Sequence, residues 1–101
     1  MTDIKKGMFG TASLELGDFN AAAHKSVGPQ SPALVSGWYN INLTAGKDFI
    51  NKLSSKGGLS QIRLRFKLDD NNDNLANLLR LYSGNAAAAD RPQLIIRYYV
   101  P

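Results

Sequence analysis

Residues 69–74, Asp-Asp-Asn-Asn-Asp-Asn, are the densest group of side chains in the chain that can bind a hard cation. All six carry oxygen, and Ca²⁺ takes six to eight oxygen ligands from flexible loops. The spacing is not that of an EF-hand, because the sixth position is Asn74 rather than Gly and the twelfth is Arg80 rather than Glu. The alternative is a solvated turn whose side chains bond to the local backbone. The calcium hypothesis assigns the metal to Asp69, Asp70 and Asp73.

Cations and tyrosines alternate with apolar residues in residues 61–68, 78–83 and 93–100, which predicts a basic face on a β-sheet. Arg side chains bind carboxylates through two parallel hydrogen bonds, and Tyr rings stack on sugar rings, so this face suits an acidic polysaccharide. The alternative is an ordinary solvated sheet face, since half-buried antiparallel strands turn polar residues outward by default. The candidate ligand-binding residues here are Arg63, Arg65, Lys67, Arg80, Tyr82, Arg97 and Tyr99.

Trp38 is a separate candidate for sugar binding. In residues 37–43, Tyr39, Ile41 and Leu43 alternate with Trp38 and two Asn residues, so Trp38 is expected on the outward side with the amides. An exposed Trp beside amides can hold a sugar. The alternative is that Trp38 packs under the loop at residues 26–32 or against a partner, because Trp is usually buried.

Neither catalysis nor nucleic-acid binding is favoured by the residues present. His24 is the only His, Glu15 is the only Glu, and neither belongs to an acid–base or nucleophile–base set. The absence of Cys excludes disulfides, zinc–thiolate sites and thiol nucleophiles. The net charge of +4 permits an anionic partner but is modest for a nucleic-acid-binding protein. We therefore expect no enzymatic activity and no membrane insertion. Ca²⁺ is the one cofactor for which the residues support a hypothesis.

The elements that must position these residues are five strands and two short helices. The apolar periodicity places strands at residues 2–9, 37–43, 61–68, 78–83 and 93–100. Short helices are predicted at residues 19–23, capped by Asp18, and at residues 45–54, capped by Thr44. The inward positions of the strands predict a core that consists of Ile62, Leu64, Phe66, Leu79, Leu81, Leu94, Ile96 and Tyr98.

This pattern predicts a mainly β fold, an antiparallel, jelly-roll-like β-sandwich with two short helices, over a single domain of residues 1–101. A jelly roll has eight strands, so five strands predict an incomplete sandwich. Open sheet edges tend to pair with other strands. We therefore expect edge-strand pairing with another chain or with a missing N-terminal segment.

The chain resembles the C-terminal half of the DNRLRE-type β-sandwich modules in four strings: GWYNINLTA, FINKL, IRLRFKLDDNNDN and LRLYSGNAAAADRPQLIIRYYVP. The best-matching pieces are the Asp/Asn loop, Tyr82-Ser83-Gly84 and Arg91-Pro92, and the resemblance spans about residues 4–101. Modules of this family are repeated in large exported bacterial and archaeal proteins, often beside glycan-degrading domains, and some are classed as carbohydrate-binding modules.

The resemblance implies a jelly-roll-like sandwich, an extracellular or cell-surface location and a non-catalytic role. Together with the candidate residues, it predicts a module that binds or presents a polymer, with a carbohydrate, acidic or neutral, as the expected class. The alternative is a purely structural or adhesive spacer of a large surface protein, with no ligand of its own. The first ten residues, MTDIKKGMFG, lack the apolar core of a signal peptide.

Overall fold

The computed structural model describes residues 1–52, 58–68 and 71–100. The chain divides into two compact units, Met1–Asp70 and Asn71–Pro101. Within the described residues the regular structure is mainly β, with five short strands in two small antiparallel sheets and two 3₁₀ helices. The prediction of a mainly β fold is confirmed at this level.

The first unit contains all the regular elements that lie in the described residues. One sheet has the strand order β2-β1-β5, and the other is the hairpin β3-β4. The strands are β1 (Thr2–Lys6), β2 (Lys25–Val27), β3 (Leu34–Val35), β4 (Trp38–Tyr39) and β5 (Ser60–Leu64), and the 3₁₀ helices are η1 (Leu16–Phe19) and η2 (Thr44–Phe49).

The central strand β1 pairs antiparallel with both neighbours, and the register sorts its side chains between two faces. Ile4 lies opposite Ile62, and Thr2 lies opposite both Val27 and Leu64, so these residues share one face. Asp3 lies opposite Ser26 and Arg63 on the other face. One face, called the apolar face below, carries Ile4, Val27, Ile62 and Leu64 together with Thr2 and Lys25, and the other, the polar face, carries Asp3, Ser26 and Arg63.

Helix η2 covers the centre of the apolar face. A Cβ at Gly46 would lie 2.4 Å from Cδ1 of Ile4 and 3.2 Å from Cγ2 of Val27. A distance of 2.4 Å between a Cβ and Cδ1 of Ile4 would be a steric clash, so only a glycine allows the helix to approach the sheet this closely. Ile4 is fully buried as a result.

The buried apolar residues among those described are Ile4, Phe9 and Val27, so the predicted core is wrong. Alternation identifies which side chains share a face, but a face is buried only where another element covers it. Helix η2 reaches Ile4 and Val27 and leaves Ile62 and Leu64 at 39% and 44% exposed. All eight predicted core residues are exposed: Ile62, Leu64, Phe66, Leu79, Leu81, Leu94, Ile96 and Tyr98.

Two predicted strands, at residues 78–83 and 93–100, are also wrong, because neither segment pairs with another strand in the structure. The second unit instead contains turns, closed by hydrogen bonds from the Ala86 N–H to the Ser83 carbonyl at 3.1 Å and from the Asp90 N–H to the Ala87 carbonyl at 2.9 Å. Alternating apolar residues favour an extended chain, but a strand also needs a partner for its backbone.

The remaining predicted elements are present but shorter. The strand at residues 37–43 is reduced to Trp38–Tyr39, since Oδ1 of Asn42 accepts the Thr44 N–H at 2.9 Å and turns the chain into η2. The predicted helix at residues 45–54 is the 3₁₀ helix Thr44–Phe49, and residues 53 and 54 lie outside the described residues. The helix predicted at residues 19–23 lies earlier, at Leu16–Phe19, where Oδ2 of Asp18 accepts the Glu15 N–H at 2.8 Å.

Strands β2 and β5 are the edges of the three-stranded sheet within the described residues. The pairing of such an edge with a further strand stays a prediction.

Candidate functional site

The hairpin β3-β4 presents Trp38, the only Trp of the chain. Its two-residue turn consists of Ser36 and Gly37, whose φ angles of 49° and 82° are both positive. Positive φ at both central residues is the signature of a type I′ turn, whose twist matches that of paired strands. The turn therefore holds Trp38 and Tyr39 in a defined register opposite Val35 and Leu34.

Both aromatic residues of the hairpin are partly exposed to solvent. Trp38 is 37% exposed and Tyr39 is 38% exposed, and their partners Val35 and Leu34 are exposed as well. Directly paired residues share a face of a hairpin, so Trp38 lies beside Val35 on one face and Tyr39 beside Leu34 on the other. Each face therefore offers one ring extended by an aliphatic side chain.

The outward position predicted for Trp38 is consistent with this exposure, whereas the inward position predicted for Tyr39 is wrong. The two Asn side chains that follow the rings in sequence differ in their hydrogen bonds. Oδ1 of Asn42 accepts the Thr44 N–H, while Asn40 directly follows Tyr39 and is exposed. Asn40 is thus the amide that the chain places beside the rings with a solvent-facing side chain.

The polar face of the three-stranded sheet holds a buried acid, Asp3, which is 1% exposed. Its Oδ1 accepts a hydrogen bond from the Ser26 hydroxyl at 2.6 Å. Its Oδ2 accepts Nε and Nη2 of Arg63 at 3.0 and 2.6 Å, and Nε of Arg65 at 2.9 Å. Strand pairing creates the row, since Ser26, Asp3 and Arg63 lie directly opposite one another across three strands.

Two opposing effects act on the Asp3 carboxyl group. Burial raises its pKa, because a buried charge loses its hydration. Hydrogen bonds from Ser26, Arg65 and Arg63, together with the charge of Arg65, outweigh this and lower the pKa from 3.8 to about 2. Asp3 therefore stays ionised in the folded protein over the whole neutral and mildly acidic range.

Arg63 also links the segment Asp18–Ala21 to the polar face of the sheet. Its Nη1 donates to the carbonyls of Asp18, Phe19 and Ala21, the last at 2.9 Å. Its guanidinium carbon lies 4.5 Å from the centroid of the buried Phe9 ring, within the range of a cation–π contact. The donors predicted to bind ligand on Arg63 are thus engaged inside the fold.

The other predicted residues of the basic face are distributed over both units. Arg65 shares Asp3 with Arg63 and is 38% exposed, and Lys67 is exposed in the same unit. Arg80 and Tyr82, with Leu81, line a shallow depression of about 290 Å³ in the second unit. Arg97 and Tyr99 are exposed in that unit, and Tyr99 makes no buried contact at 101% exposure.

Of the three predicted calcium ligands, Asp69 and Asp70 lie outside the described residues. Asp73 is described, and both of its carboxylate oxygens take part in a local turn. Its Oδ2 accepts Nδ2 of Asn71 at 2.9 Å, and its Oδ1 accepts the Leu75 N–H at 2.8 Å. Within residues 1–52, 58–68 and 71–100, no group of three or more acidic, His or Cys side chains is arranged to hold a metal ion. The calcium site stays a prediction.

Sequence reasoning missed the part played by Asp3. The available signal was the single acid in the predicted strand at residues 2–9, in a chain whose predicted strand at residues 61–68 carries three cations. His24, the residue before β2, has a structural contact of the same kind, since its Nδ1 accepts the Lys6 N–H at 3.0 Å.

Comparison with protein-family models, curated proteins and solved structures gives no match to this chain. The resemblance to the DNRLRE-type modules therefore stays a prediction. In the described part of the chain, no helix has the length and apolar character needed to cross a membrane.

Proposed function

We propose that this chain is a non-catalytic binding module that holds carbohydrate on the exposed aromatic hairpin. The observation that carries the proposal is the exposed Trp38, which lies beside Val35 on one face of a hairpin with a two-residue turn. The C–H-rich face of a pyranose ring packs against an aromatic ring and removes apolar area from water. Asn40 lies next in sequence and is exposed, so it supplies an amide for sugar hydroxyls.

Preorganisation supports the hairpin over the basic face as the main site. A platform that is already rigid loses little conformational entropy when ligand binds. By contrast, Arg63 would have to leave Asp3, a 1% exposed carboxylate, before it could bind an acidic sugar. Breaking a buried ion pair in this way costs about 3–5 kcal/mol. We therefore assign neutral sugar rings to the hairpin.

The sandwich architecture and the extracellular setting belong to the same proposal. They are supported by the resemblance to the DNRLRE-type modules and by the amount of exposed apolar surface, which a further β layer would cover. A single three-stranded layer leaves Ile62, Leu64 and Phe66 at 39–50% exposed.

Trp38 provides a direct test, because it is the only Trp and its fluorescence reports on its own environment. Titration with soluble neutral oligosaccharides, such as glucan and mannan fragments, should change the Trp38 emission and show little dependence on salt. Trp38→Ala should abolish retention by the matching polysaccharide. Phe19→Ala is the matched control, since Phe19 is also an exposed aromatic of the first unit at 64%.

Two results would contradict the proposal. The first is full retention of a neutral polysaccharide by Trp38→Ala. The second is a folded protein that binds none of the glycans tested, which would favour a structural or adhesive spacer.

A further inference from the structure

The second unit contains a depression that the hairpin proposal does not use. It is about 290 Å³ in volume and is lined by Arg80, Leu81 and Tyr82. Arg80, Leu81 and Tyr82 are consecutive in the chain, and all three contribute to the lining of the depression. Tyr82 is 65% exposed, and its ring is therefore accessible from solvent.

Arg80 differs from three other arginines of the chain, whose side chains are bonded within the fold. Arg63 and Arg65 bind Asp3, and in the second unit Nε of Arg91 donates to the Ala86 carbonyl at 2.7 Å. Within the described part of the chain, Arg80 forms no hydrogen bond or ion pair. Its five N–H donors thus face solvent at the edge of a concave surface.

We propose that this depression binds the carboxylate of a uronic acid residue in an acidic polysaccharide. The planar guanidinium of Arg80 matches a carboxylate through two parallel N–H···O bonds. The ring of Tyr82 and the side chain of Leu81 provide an apolar surface for the sugar ring that carries this carboxylate. The chain's net charge of +4 favours the approach of a polyanion.

This second site is independent of the hairpin. The hairpin takes neutral rings and is monitored through Trp38, whereas the Arg80 depression takes acidic sugars and contains no Trp. Either proposal can therefore fail while the other holds.

The test is isothermal titration of the whole chain with oligogalacturonate at low and at physiological salt. Arg80→Ala should weaken binding by about tenfold or more, as expected for loss of charge-assisted hydrogen bonds. Arg80→Lys should also weaken it severalfold, because an ammonium keeps the charge but cannot form the two parallel bonds. Tyr82→Ala should weaken binding without changing its salt dependence.

Arg97→Ala is the matched control. Arg97 is an exposed arginine of the same unit, flanked by tyrosine, and it is not among the described residues that line the depression. It should change the affinity less than twofold. All four variants alter exposed side chains, and circular dichroism and melting temperature will confirm that each has the parent fold.

Three outcomes would overturn the proposal. Equal losses in Arg80→Ala and Arg97→Ala would mean that only net charge matters. Equal binding of DNA and oligogalacturonate at low salt, lost together at moderate salt, would mean non-specific electrostatics. Absence of oligogalacturonate binding by the folded parent chain would remove the site altogether.

Discussion

Asp3 and Arg63 are joined across adjacent strands by two hydrogen bonds that converge on a single carboxylate oxygen, at 3.0 Å from Nε and 2.6 Å from Nη2. The two residues are direct partners in the register of β1 and β5. Arg63 also donates hydrogen bonds to three backbone carbonyls in the segment Asp18–Ala21, so the pair links the sheet to that segment. Arg63, the one cation of β5, is thus engaged inside the fold.

The first prediction is that stability falls steeply in strong acid because of Asp3. Its folded-state pKa is about 2 and its ordinary value is 3.8, so the folded state holds the ionised form more strongly than the unfolded state does. This difference contributes about 2 kcal/mol to the free energy of unfolding above pH 4 and is lost as the pH falls from about 4 to about 2. Urea denaturation at several pH values measures it.

Asp3→Asn should remove this pH dependence and lower the stability at neutral pH. Asp48→Asn is the control, because Asp48 is an exposed acid of the same unit. If the parent and Asp3→Asn lose stability in parallel between pH 4 and pH 2, the Asp3 network is not the cause.

The second prediction separates the two arginines that share Asp3. Arg63→Ala should destabilise the protein by about 3 kcal/mol or more. It removes a buried ion pair and also the hydrogen bonds from Arg63 to three backbone carbonyls. Arg65→Ala should cost about 1 kcal/mol, because the Arg65 side chain is 38% exposed and gives Asp3 a single hydrogen bond. Denaturant midpoints of the two variants, measured side by side, give the comparison. If Arg65→Ala and Arg63→Ala lower the free energy of unfolding equally, Arg63 is not the main partner of Asp3 in stabilising the fold.

The relation between Arg63 and Asp3 shows how far the sequence alone leads. Within β5, the alternation in residues 61–68 correctly put Arg63 on one face and Ile62 and Leu64 on the other. It did not reveal that Arg63 would be covered, because that depends on a segment more than 40 residues away in sequence, at Asp18–Ala21. Strand pairing between distant segments has no local signal.

The hairpin and the second unit show the same limit. Ser36-Gly37 lies between two apolar pairs and has turn chemistry, but neither flanking pair is long enough to produce a period-two pattern. Residues 93–100 do have that pattern, yet they form no strand in the structure. Periodicity reports a preference for extended backbone, and pairing partners decide whether a strand forms.

The third prediction concerns the contact between η2 and the sheet. Gly46→Ala would place a Cβ 2.4 Å from Cδ1 of Ile4, so it should destabilise the protein by about 1–3 kcal/mol through overpacking. Gly17→Ala is the matched control in the other 3₁₀ helix, where no atom lies within 4 Å of the added methyl group. It should be neutral or slightly stabilising. Thermal melts of the two variants measure the difference, and equal melting temperatures would argue against the close approach of η2.

The fourth prediction tests calcium binding by the Asp/Asn loop. If Asp69, Asp70 and Asp73 hold Ca²⁺ only in the folded state, millimolar Ca²⁺ should raise the melting temperature above that measured in EDTA. Asp73→Asn should remove the increase, while Asp90→Asn, an exposed acid outside the loop, should keep it. No increase for the parent chain would leave the alternative, a turn in which Asp73 bonds to Asn71 and Leu75.

The last prediction links the shape of the hairpin to ligand binding without touching an aromatic ring. Gly37 has a φ of 82°, and a side chain at this angle costs about 1–2 kcal/mol. Gly37→Ala should therefore loosen the turn, alter the Trp38 emission in the free protein and weaken binding of neutral glycans. Ser36→Asn is the control, because Asn tolerates the positive φ of 49° and Asn-Gly is a preferred type I′ pair. It should preserve or strengthen binding. If Gly37→Ala changes the free-protein emission but leaves the glycan affinity intact, the rings do not need the turn, and the hairpin is not the preorganised platform we propose.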